Sequence, residues 1–461
     1  MASFVAAPAE PRIVIVGGKR LVGTIPVSGS KNASLAILAG AILAAEGETV
    51  LHGLPRIGDI ETMALVLQQL GVRTAFENQG RTLRINASSL TNCEAPPDLV
   101  ARMRASFWVL GPVLARLGEA KVTQPGGCNI GARPIDLHLK GLAALGADLD
   151  VSFGSVTAVA GQGLRGAKIY LDFPSVGATM NLMMAASLAE GVTVIENAAQ
   201  EPDVEDLGNF LIALGARVQG HGTGMLTVQG VRRLRGAEYT VSADRMEAGT
   251  FGVMAGITGG NVLLEPVDPI HMRPITLKMI EAGMRIEEGP NFVRCIGPDR
   301  PRFTNLTAMP HPGFPTDMQQ AFTAMLTVAD GTSVITDNVY ENRFRFLTEM
   351  ARMGARSQVN GRTAVISGVA RLTGADVEAS DLRAGAALVT AGLAAHGQTR
   401  VFKTEHLHRG YERFVEKLTA VGAEIWREDE FGRPLGSERS GEGDRETAEN
   451  RTERGTQCSP A

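Results

Sequence analysis

A cysteine and an arginine stand five residues apart in a glycine-rich stretch, Pro125-Gly126-Gly127-Cys128-Asn129-Ile130-Gly131-Ala132-Arg133-Pro134. A nearby cation favours the thiolate of a cysteine, which is its reactive form. The guanidinium group of Arg133 is also a forked donor that suits phosphate or carboxylate. Taken alone, such a stretch is more typical of a turn that contains a buried structural cysteine. Its interpretation as a reactive loop therefore depends on the rest of the chain.

Basic side chains recur where buried helices are predicted to begin. The six segments are Lys31-Asn32-Ala33-Ser34, Arg104-Ala105-Ser106, Ser175-Val176-Gly177-Ala178-Thr179, Asp244-Arg245-Met246-Glu247, Thr316-Asp317-Met318-Gln319 and Asp381-Leu382-Arg383-Ala384. Four of them carry Lys or Arg in the first turn, where the helix dipole disfavours a cation. Free N–H groups and cations together bind anions. One such cation could be solvated or paired locally, as Arg245 beside Asp244 and Glu247, but the set predicts an anion-binding surface.

These segments belong to a sixfold internal repeat. Each unit combines a short apolar strand, a helix, a second strand and a second helix that closes on a glycine. The closing glycines are 68 to 75 residues apart, at Gly71, Gly146, Gly215, Gly283, Gly354 and Gly422. A second series, expected to cap the first helices, is Gly47, Gly118, Gly191, Gly260, Gly331 and Gly397. Two landmarks with one period indicate six βαβα units.

The pattern predicts which helices are buried. The first helix of a unit is apolar on most faces, which is typical of a buried helix. The second helices, such as 59–70 and 411–421, alternate charged and apolar residues and should lie outside. The prediction is an α/β fold of two lobes with three units each, whose anion-binding helix ends face the cleft between the lobes.

Composition narrows the classes of function. The chain has 461 residues, a net charge of -4, 54 glycines and only 5% aromatic residues. No long basic tract indicates nucleic acid binding, and no apolar stretch is long enough to cross a membrane. The four cysteines show no metal-binding or disulfide pattern, so neither a metal nor a cofactor is expected. We expect a cytoplasmic protein with a disordered tail at 436–461, where no large apolar residue occurs.

The motifs together resemble a known family. They occur in the order Lys31-Asn32, Gly126 to Pro134, residues 175–179, Phe314-Pro315-Thr316-Asp317-Met318-Gln319, Glu341-Asn342-Arg343-Phe344, Asp381-Leu382-Arg383 and Arg409-Gly410-Tyr411-Glu412. This order is similar to the enolpyruvyl transferases, over about residues 12 to 428. The resemblance implies a two-lobed inside-out α/β barrel. One lobe would comprise residues 1–30 plus 244–430 and the other residues 31–243, with crossings near Ser30 and Ala243.

The resemblance also implies a reaction. The enolpyruvyl group of phosphoenolpyruvate would pass to the 3′-hydroxyl of UDP-N-acetylglucosamine with release of phosphate, as the first committed step of peptidoglycan synthesis. The partners would be these two small molecules, whereas the oligomeric state is not implied.

Site residues carry over from the resemblance position by position. Those expected around the donor phosphate are Lys31, Arg104, Arg133 and Arg409, and those near its carboxylate are Arg343 and Arg383. Cys128 would act on the donor, and Asp317 would be the base that also binds the sugar hydroxyl. Contacts to the UDP-sugar would come from Asn32, Arg133, Pro134, Ile135, Asp136, Leu137, Ser175, Val176, Gly177 and Val339.

Two positions depart from the pattern, and two other functions stay open. Phe173 stands where some relatives place a lysine near the diphosphate, and His408 stands where relatives often have aspartate. The sister activity that makes 5-enolpyruvylshikimate 3-phosphate shares the six units but lacks the Gly-Gly-Cys loop. A catalytically inactive binding paralogue is the other alternative, although every expected catalytic residue type is present.

Overall fold

The computed structural model describes residues 11–124, 135–429 and 431–435. Cys128, Arg133 and Pro134 of the candidate reactive loop lie outside these ranges. The segment 436–461 also lies outside them. The predictions made for the loop and the tail therefore stay predictions.

The described chain is a mixture of strands and helices. The strands are β1 (Arg12–Val16), β2 (Val22–Pro26), β3 (Ala44–Glu46), β4 (Thr49–His52), β5 (Arg73–Glu77), β6 (Thr82–Asn86), β7 (Glu119–Thr123), β8 (Asp148–Ser152), β9 (Ser155–Val159), β10 (Lys168–Tyr170), β11 (Val192–Glu196), β12 (Arg217–Gln219), β13 (Met225–Gln229), β14 (Leu234–Arg235), β15 (Glu238–Thr240), β16 (Asn261–Glu265), β17 (Arg285–Gly289), β18 (Phe292–Ile296), β19 (Leu306–Ala308), β20 (Thr332–Asp337), β21 (Arg356–Asn360), β22 (Thr363–Ser367), β23 (Asp376–Glu378), β24 (Gln398–Phe402), β25 (Glu424–Glu428) and β26 (Pro434–Leu435). The helices are α1 (Lys31–Gly40), α2 (Gly58–Gln69), α3 (Pro97–Arg102), α4 (Leu110–Leu117), α5 (Asp136–Ala144), α6 (Val176–Ala186), α7 (Pro202–Ala213), α8 (Arg245–Ile257), α9 (Pro269–Glu281), α10 (Thr316–Leu326), α11 (Phe346–Arg352), α12 (Leu382–Ala394), α13 (Glu405–His408) and α14 (Phe414–Ala420). Short 3₁₀ helices occupy Ala41–Leu43, Asn78–Gly80 and Arg104–Val109.

The sixfold repeat is confirmed, but each unit contains more than the four predicted elements. In the third unit the order is β10, α6, β11, α7, β12, β13, and the sheet order is β10-β11-β13-β12. The first two strands are parallel, and the final two form an antiparallel hairpin. The prediction of βαβα units missed this hairpin, because its strands are short and keep alternate side chains exposed.

Strands from the beginning of the chain complete sheets that are otherwise built from its later part. Strand β2 lies parallel to β16, and β1 lies between β24 and β25. Conversely, β15 lies parallel to β4 in the sheet of the first unit. Between these strands, Gly29 and Ala243 form an isolated antiparallel bridge. The chain therefore crosses from one group of sheets to the other near Gly29 and returns near Ala243, and the two crossings lie side by side.

Two hydrophobic cores result from this path. The first core contains buried residues between Ala33 and Val241, and the second contains those from Ile13 to Val27 and from Met246 to Ile425. The boundaries predicted above for two lobes stay a prediction of domain organisation.

Helices form the interior of each core, as the apolar pattern predicts. Nearly all residues of α6, α8 and α12 are buried. In the second core, α8, α10 and α12 pack against one another, and the sheets lie outside them. None of the sheets in the described ranges closes on itself. The α/β fold class with internal helices is confirmed. Among the described helices, none is long and apolar enough to cross a bilayer.

The two glycine series occupy different places. Each glycine of the first series stands two positions after the last residue of a second helix, behind one capping residue, and has φ between +90° and +101°. The second series does not cap helices as expected, except for Gly118 after α4. The other five precede the second strand of their unit, where the chain turns.

Candidate active site

Lys31 is the first residue of α1, as predicted. The hydroxyl of Ser30 accepts a hydrogen bond from the N–H group of Ala33 and caps the helix. The N–H group of Lys31 donates to Asp244 Oδ2 at 3.0 Å, so the beginnings of α1 and α8 lie side by side. The Lys31 ammonium group lies 2.8 Å from Asp59 Oδ2. Its position is therefore set by contacts from both cores.

Asp59 joins Lys31 to a second predicted phosphate ligand. Arg409 Nε donates to Asp59 Oδ1 at 2.9 Å, and the Asp59 side chain is only 5% exposed. Asp59 lies in the first turn of α2, whereas Arg409 follows α13. Sequence reasoning placed α2 outside and missed this carboxylate, although an acid in a first helical turn was visible. One buried carboxylate thus collects two cations that come from different cores.

Asp317 forms a second group with two arginines. It is the second residue of α10, and its Oδ1 lies 2.6 Å from Arg343 Nη2. Its Oδ2 accepts from Arg383 Nη2 at 3.1 Å and Nε at 3.3 Å. The Arg343 side chain is 2% exposed, and its guanidinium carbon lies 4.9 Å from the centre of the Tyr340 ring. The predicted base and both predicted carboxylate ligands therefore lie together.

A buried aspartate places Val339 beside this group. The Asp337 carboxylate accepts hydrogen bonds from Thr316 Oγ1 at 2.7 Å, from Val339 N at 2.9 Å and from Tyr340 N at 2.8 Å. The loop that contains Val339 is therefore fixed to the beginning of α10. Asp337 was not among the predicted residues.

The beginning of α6 forms a third group. Ser175 caps the helix, and Val176 is its first residue. A Cβ atom on Gly177 would lie 2.9 Å from Trp108 Nε1 and 3.3 Å from His138 Nε2, so any larger residue would displace these rings. Two ring nitrogens therefore lie close to the backbone of the predicted diphosphate site.

His138 is a buried neutral imidazole. Burial, and secondly the charge of Arg104, lower the pKa of His138 to about 3. Asn181 Oδ1 accepts from Gly111 N, so the Asn181 NH₂ group donates to His138 Nδ1 at 3.1 Å. The ring hydrogen is therefore on Nε2, the nitrogen that faces Gly177.

The remaining predicted residues lie at the expected helix ends. Asn32 is the second residue of α1 and is half-buried. Arg104 begins a 3₁₀ helix rather than an α-helix. Ile135, Asp136 and Leu137 lie at the beginning of α5, next to His138.

Arg245 has a different partner from the neighbours expected. Asp244 caps α8 by accepting from the N–H groups of Met246 and Glu247. Glu247 pairs with Lys417 instead. The buried Arg245 faces Asp203 of the other core at 3.8 Å. The local pairing expected for Arg245 is therefore wrong, and a structural role for this cation stays a prediction.

The family follows from comparison with known proteins. The model of the family described as EPSP synthase (3-phosphoshikimate 1-carboxyvinyltransferase) matches residues 15–418. The chain belongs to this family. The resemblance to enolpyruvyl transferases stated from the motifs is thereby confirmed.

Two curated members of the family are similar over nearly the whole chain. One is UDP-N-acetylglucosamine 1-carboxyvinyltransferase 1 of Halalkalibacterium halodurans, 50% identical over 416 residues, which are 90% of this chain and 94% of the relative. The enzyme of the same name from Caldanaerobacter subterraneus subsp. tengcongensis is 49% identical over 91% of this chain and 100% of its own.

Solved structures share the fold. The enolpyruvyl transferase NikO from Streptomyces tendae matches with a TM-score of 0.83 and 27% identity, over 92% of this chain and 100% of its own. EPSP synthase from Acinetobacter baumannii matches with a TM-score of 0.70 and 20% identity, over 91% of this chain and 100% of its own.

Proposed function

We propose that this chain transfers the enolpyruvyl group of phosphoenolpyruvate to the 3′-hydroxyl of UDP-N-acetylglucosamine and releases phosphate. The observation that carries the proposal is the meeting of Lys31, Arg409, Arg343 and Arg383 with two carboxylates at helix beginnings. Such a set suits a small donor that bears both phosphate and carboxylate. The reaction would be a cytoplasmic step of peptidoglycan and cell-wall synthesis, on which cell shape and division depend.

The donor would lie between the two groups of cations. Lys31 and Arg409 would take its phosphate, together with Arg104 and Arg133. Arg343 and Arg383 already hold one carboxylate, that of Asp317, and the same guanidinium groups suit the carboxylate of the donor. Because the cations come from both cores, the donor would bind at the boundary between the two cores.

The chemistry is an addition followed by an elimination. A proton is added to the methylene carbon, and the 3′-oxygen attacks the neighbouring carbon to give a tetrahedral intermediate. Phosphate then leaves as the methyl group loses a proton and the double bond forms again. Asp317 would accept the proton of the 3′-hydroxyl, and Cys128 would serve the donor side. A general base must lie within hydrogen-bond reach of its proton.

The acceptor would extend along the first core. Among the described residues, the N–H groups of Val176 and Gly177 have no acceptor beyond the Ser175 cap, and such groups suit a diphosphate. The neutral ring of His138 keeps an N–H group pointed at this end of α6. The identity of about half of all residues with two enzymes named for UDP-N-acetylglucosamine supports this acceptor over shikimate 3-phosphate.

Phosphate release tests the proposal directly. The full chain is incubated with phosphoenolpyruvate and either UDP-N-acetylglucosamine or shikimate 3-phosphate, and inorganic phosphate is measured. We expect release only with the UDP-sugar. Release only with shikimate 3-phosphate would assign the sister activity, and release with neither would favour a binding paralogue.

A covalent inhibitor gives the same experiment a second readout. An epoxide shaped like phosphoenolpyruvate, such as fosfomycin, is expected to alkylate Cys128, faster when the UDP-sugar is bound. Cys295 serves as an internal control, because burial raises the pKa of its thiol to about 12. Mass spectrometry of the treated protein locates the label, and a label elsewhere would remove Cys128 from the proposed site.

A further inference from the structure

Tyr411 lies two residues after Arg409 and has no role in the reaction described above. Its side chain is 2% exposed, between α8 and α12. The hydroxyl oxygen lies 2.9 Å from Arg383 Nη1 and 3.0 Å from Thr250 Oγ1. The ring packs against Phe414 with the ring centres 4.9 Å apart. One phenol therefore contacts the beginning of α12, the body of α8 and the segment that contains Arg409.

The donors and acceptors in the hydrogen bonds of Tyr411 follow from the chemistry of its partners. A guanidinium group only donates, so Arg383 donates to the Tyr411 oxygen. The Thr250 hydroxyl donates to the carbonyl oxygen of Met246 at 2.7 Å, because a carbonyl only accepts. Tyr411 must then donate to Thr250. Burial raises the pKa of Tyr411, so the phenol keeps the proton that this arrangement requires.

The contacts of Arg383 leave a defined set of donors. Two of its N–H groups donate to Asp317 Oδ2 and a third donates to Tyr411. A guanidinium group has five N–H donors, so within the described residues two remain for a further acceptor. Asp317 holds one edge of the planar group and Tyr411 holds another nitrogen. Together the two contacts fix the plane of the guanidinium group.

We propose that Tyr411 is a positioning residue that orients Arg383 toward the carboxylate of phosphoenolpyruvate. The proposal rests on the proposed function for the identity of the donor. Tyr411 transmits the orientation of α8 to Arg383 through Thr250, and α8 is itself fixed to Lys31 by Asp244. The cations for the phosphate and those for the carboxylate are thereby held in one arrangement.

The test replaces the phenol by a phenyl ring. Tyr411→Phe retains the ring beside Phe414 and the face that lies 5.4 Å from the Arg383 guanidinium carbon, and it removes only the hydroxyl. We expect the KM for phosphoenolpyruvate to rise about tenfold, as befits the loss of one hydrogen bond to a charged group. The KM for UDP-N-acetylglucosamine should stay within about twofold, because most of the predicted acceptor contacts lie in the other core. The two that do not, Asp317 and Val339, keep their contacts to Arg343 and Asp337 in this variant.

Tyr239→Phe is the matched control. Tyr239 is a half-buried tyrosine of the first core whose hydroxyl donates to Asp206 Oδ1 at 2.5 Å. Its replacement should lower the melting temperature and leave both KM values unchanged. Thr250→Val tests the series of hydrogen bonds from α8 to Arg383, because it removes the acceptor of the Tyr411 proton. It should raise the same KM by less than Tyr411→Phe does.

Direct binding separates this proposal from the proposed function. Equilibrium binding of phosphoenolpyruvate to the full chain is measured for the wild type and Tyr411→Phe, without an acceptor. About tenfold weaker binding to the variant supports the proposal, even if the acceptor proves to be a different molecule. Equal binding would overturn it. An equal rise in the KM values of both substrates, together with a lower melting temperature, would also overturn the proposal, because these changes indicate a structural role alone.

Discussion

At the scale of single residues, the positive charges of the candidate site are partly offset within the protein. Asp59 pairs with Lys31 and Arg409, and Asp317 pairs with Arg343 and Arg383. Each carboxylate spans two cations, as a phosphate or carboxylate of a substrate would. Cations that would otherwise repel one another are thereby kept at short range. The anion-binding geometry is built before any anion arrives.

The loss of Lys31 should affect turnover far more than folding. Lys31→Ala removes a charge-assisted contact to the donor phosphate, which costs about 3 kcal/mol where the transition state depends on it. We expect kcat/KM for phosphoenolpyruvate to fall by roughly a hundredfold or more. Steady-state kinetics measure this loss, and circular dichroism checks the fold.

Two variants control this experiment. Lys19→Ala removes an exposed lysine and should change neither activity nor stability. Arg245→Ala removes a buried structural cation and should lower the melting temperature before it lowers activity. Turnover like the wild type in Lys31→Ala would contradict the assignment of Lys31 to an anion site.

The sequence pointed to cations of the site, but of the carboxylates that hold them it gave Asp317 and missed Asp59. Lys31 and Arg383 were found because a cation at the beginning of a helix is a local signal, whereas Asp317 came from the resemblance of its motif. Asp59 and Tyr411 act through residues of other elements, 28 to 350 positions away. From the sequence, an acidic residue such as Asp59 at the beginning of an amphipathic helix is expected to be exposed to solvent. It is buried only because the two cores pack against each other around it.

At the scale of elements, all six second helices end in one way. In α2 the N–H group of Gly71 donates to Gln68 O, and that of Val72 donates to Leu67 O. This pair of hydrogen bonds is the Schellman motif, which places the glycine in the left-handed region. The same pair recurs at the other five closing glycines. The period seen in the sequence is therefore the period of a helix end.

Replacing one of these glycines should destabilise the fold without a steric clash. Gly146 has φ of +93°, and a Cβ atom there would meet nothing within 4 Å. Gly146→Ala should thus cost about 1–2 kcal/mol from backbone strain alone. Gly161→Ala is the control, since Gly161 also has open space but lacks the left-handed φ. Urea unfolding measures both variants, and equal stabilities would contradict the strain argument.

Helix beginnings and closing glycines were predictable because each depends on a few adjacent residues. The final hairpin of each unit was not, because strands such as β12 contain three residues with one buried side chain. The sequence pattern also did not predict that β2 pairs with β16 and that β15 pairs with β4. Strand pairing between positions more than 180 residues apart leaves no periodicity in the sequence.

At the scale of the whole molecule, a buried cluster lies where the chain leaves one core for the other. Lys417 Nζ lies 2.7 Å from both Glu247 Oε1 and Ser28 Oγ. The N–H group of Ser28 donates to Glu247 Oε2 at 2.5 Å. Both charged side chains are less than 10% exposed. The cluster therefore fixes α14 and α8 to the segment that leads into α1.

The removal of Lys417 should make stability depend steeply on pH. Burial raises the pKa of Glu247, and the charge of Lys417 opposes that rise. A carboxyl group whose pKa is raised by folding favours the folded state most at acid pH, and this contribution is lost as pH rises through the folded pKa. Lys417→Met should enlarge the effect and cost about 3–5 kcal/mol near pH 8, with much less loss near pH 5. Urea unfolding at the two pH values measures the difference.

A double variant with Glu247→Gln is the control for this experiment. The second substitution removes the ionisable group, retains an acceptor for Ser28, and should restore most of the stability near pH 8. A loss that is equal at both pH values, or that the double variant does not reduce, would show that the lost packing of Lys417 rather than the buried charge of Glu247 is responsible.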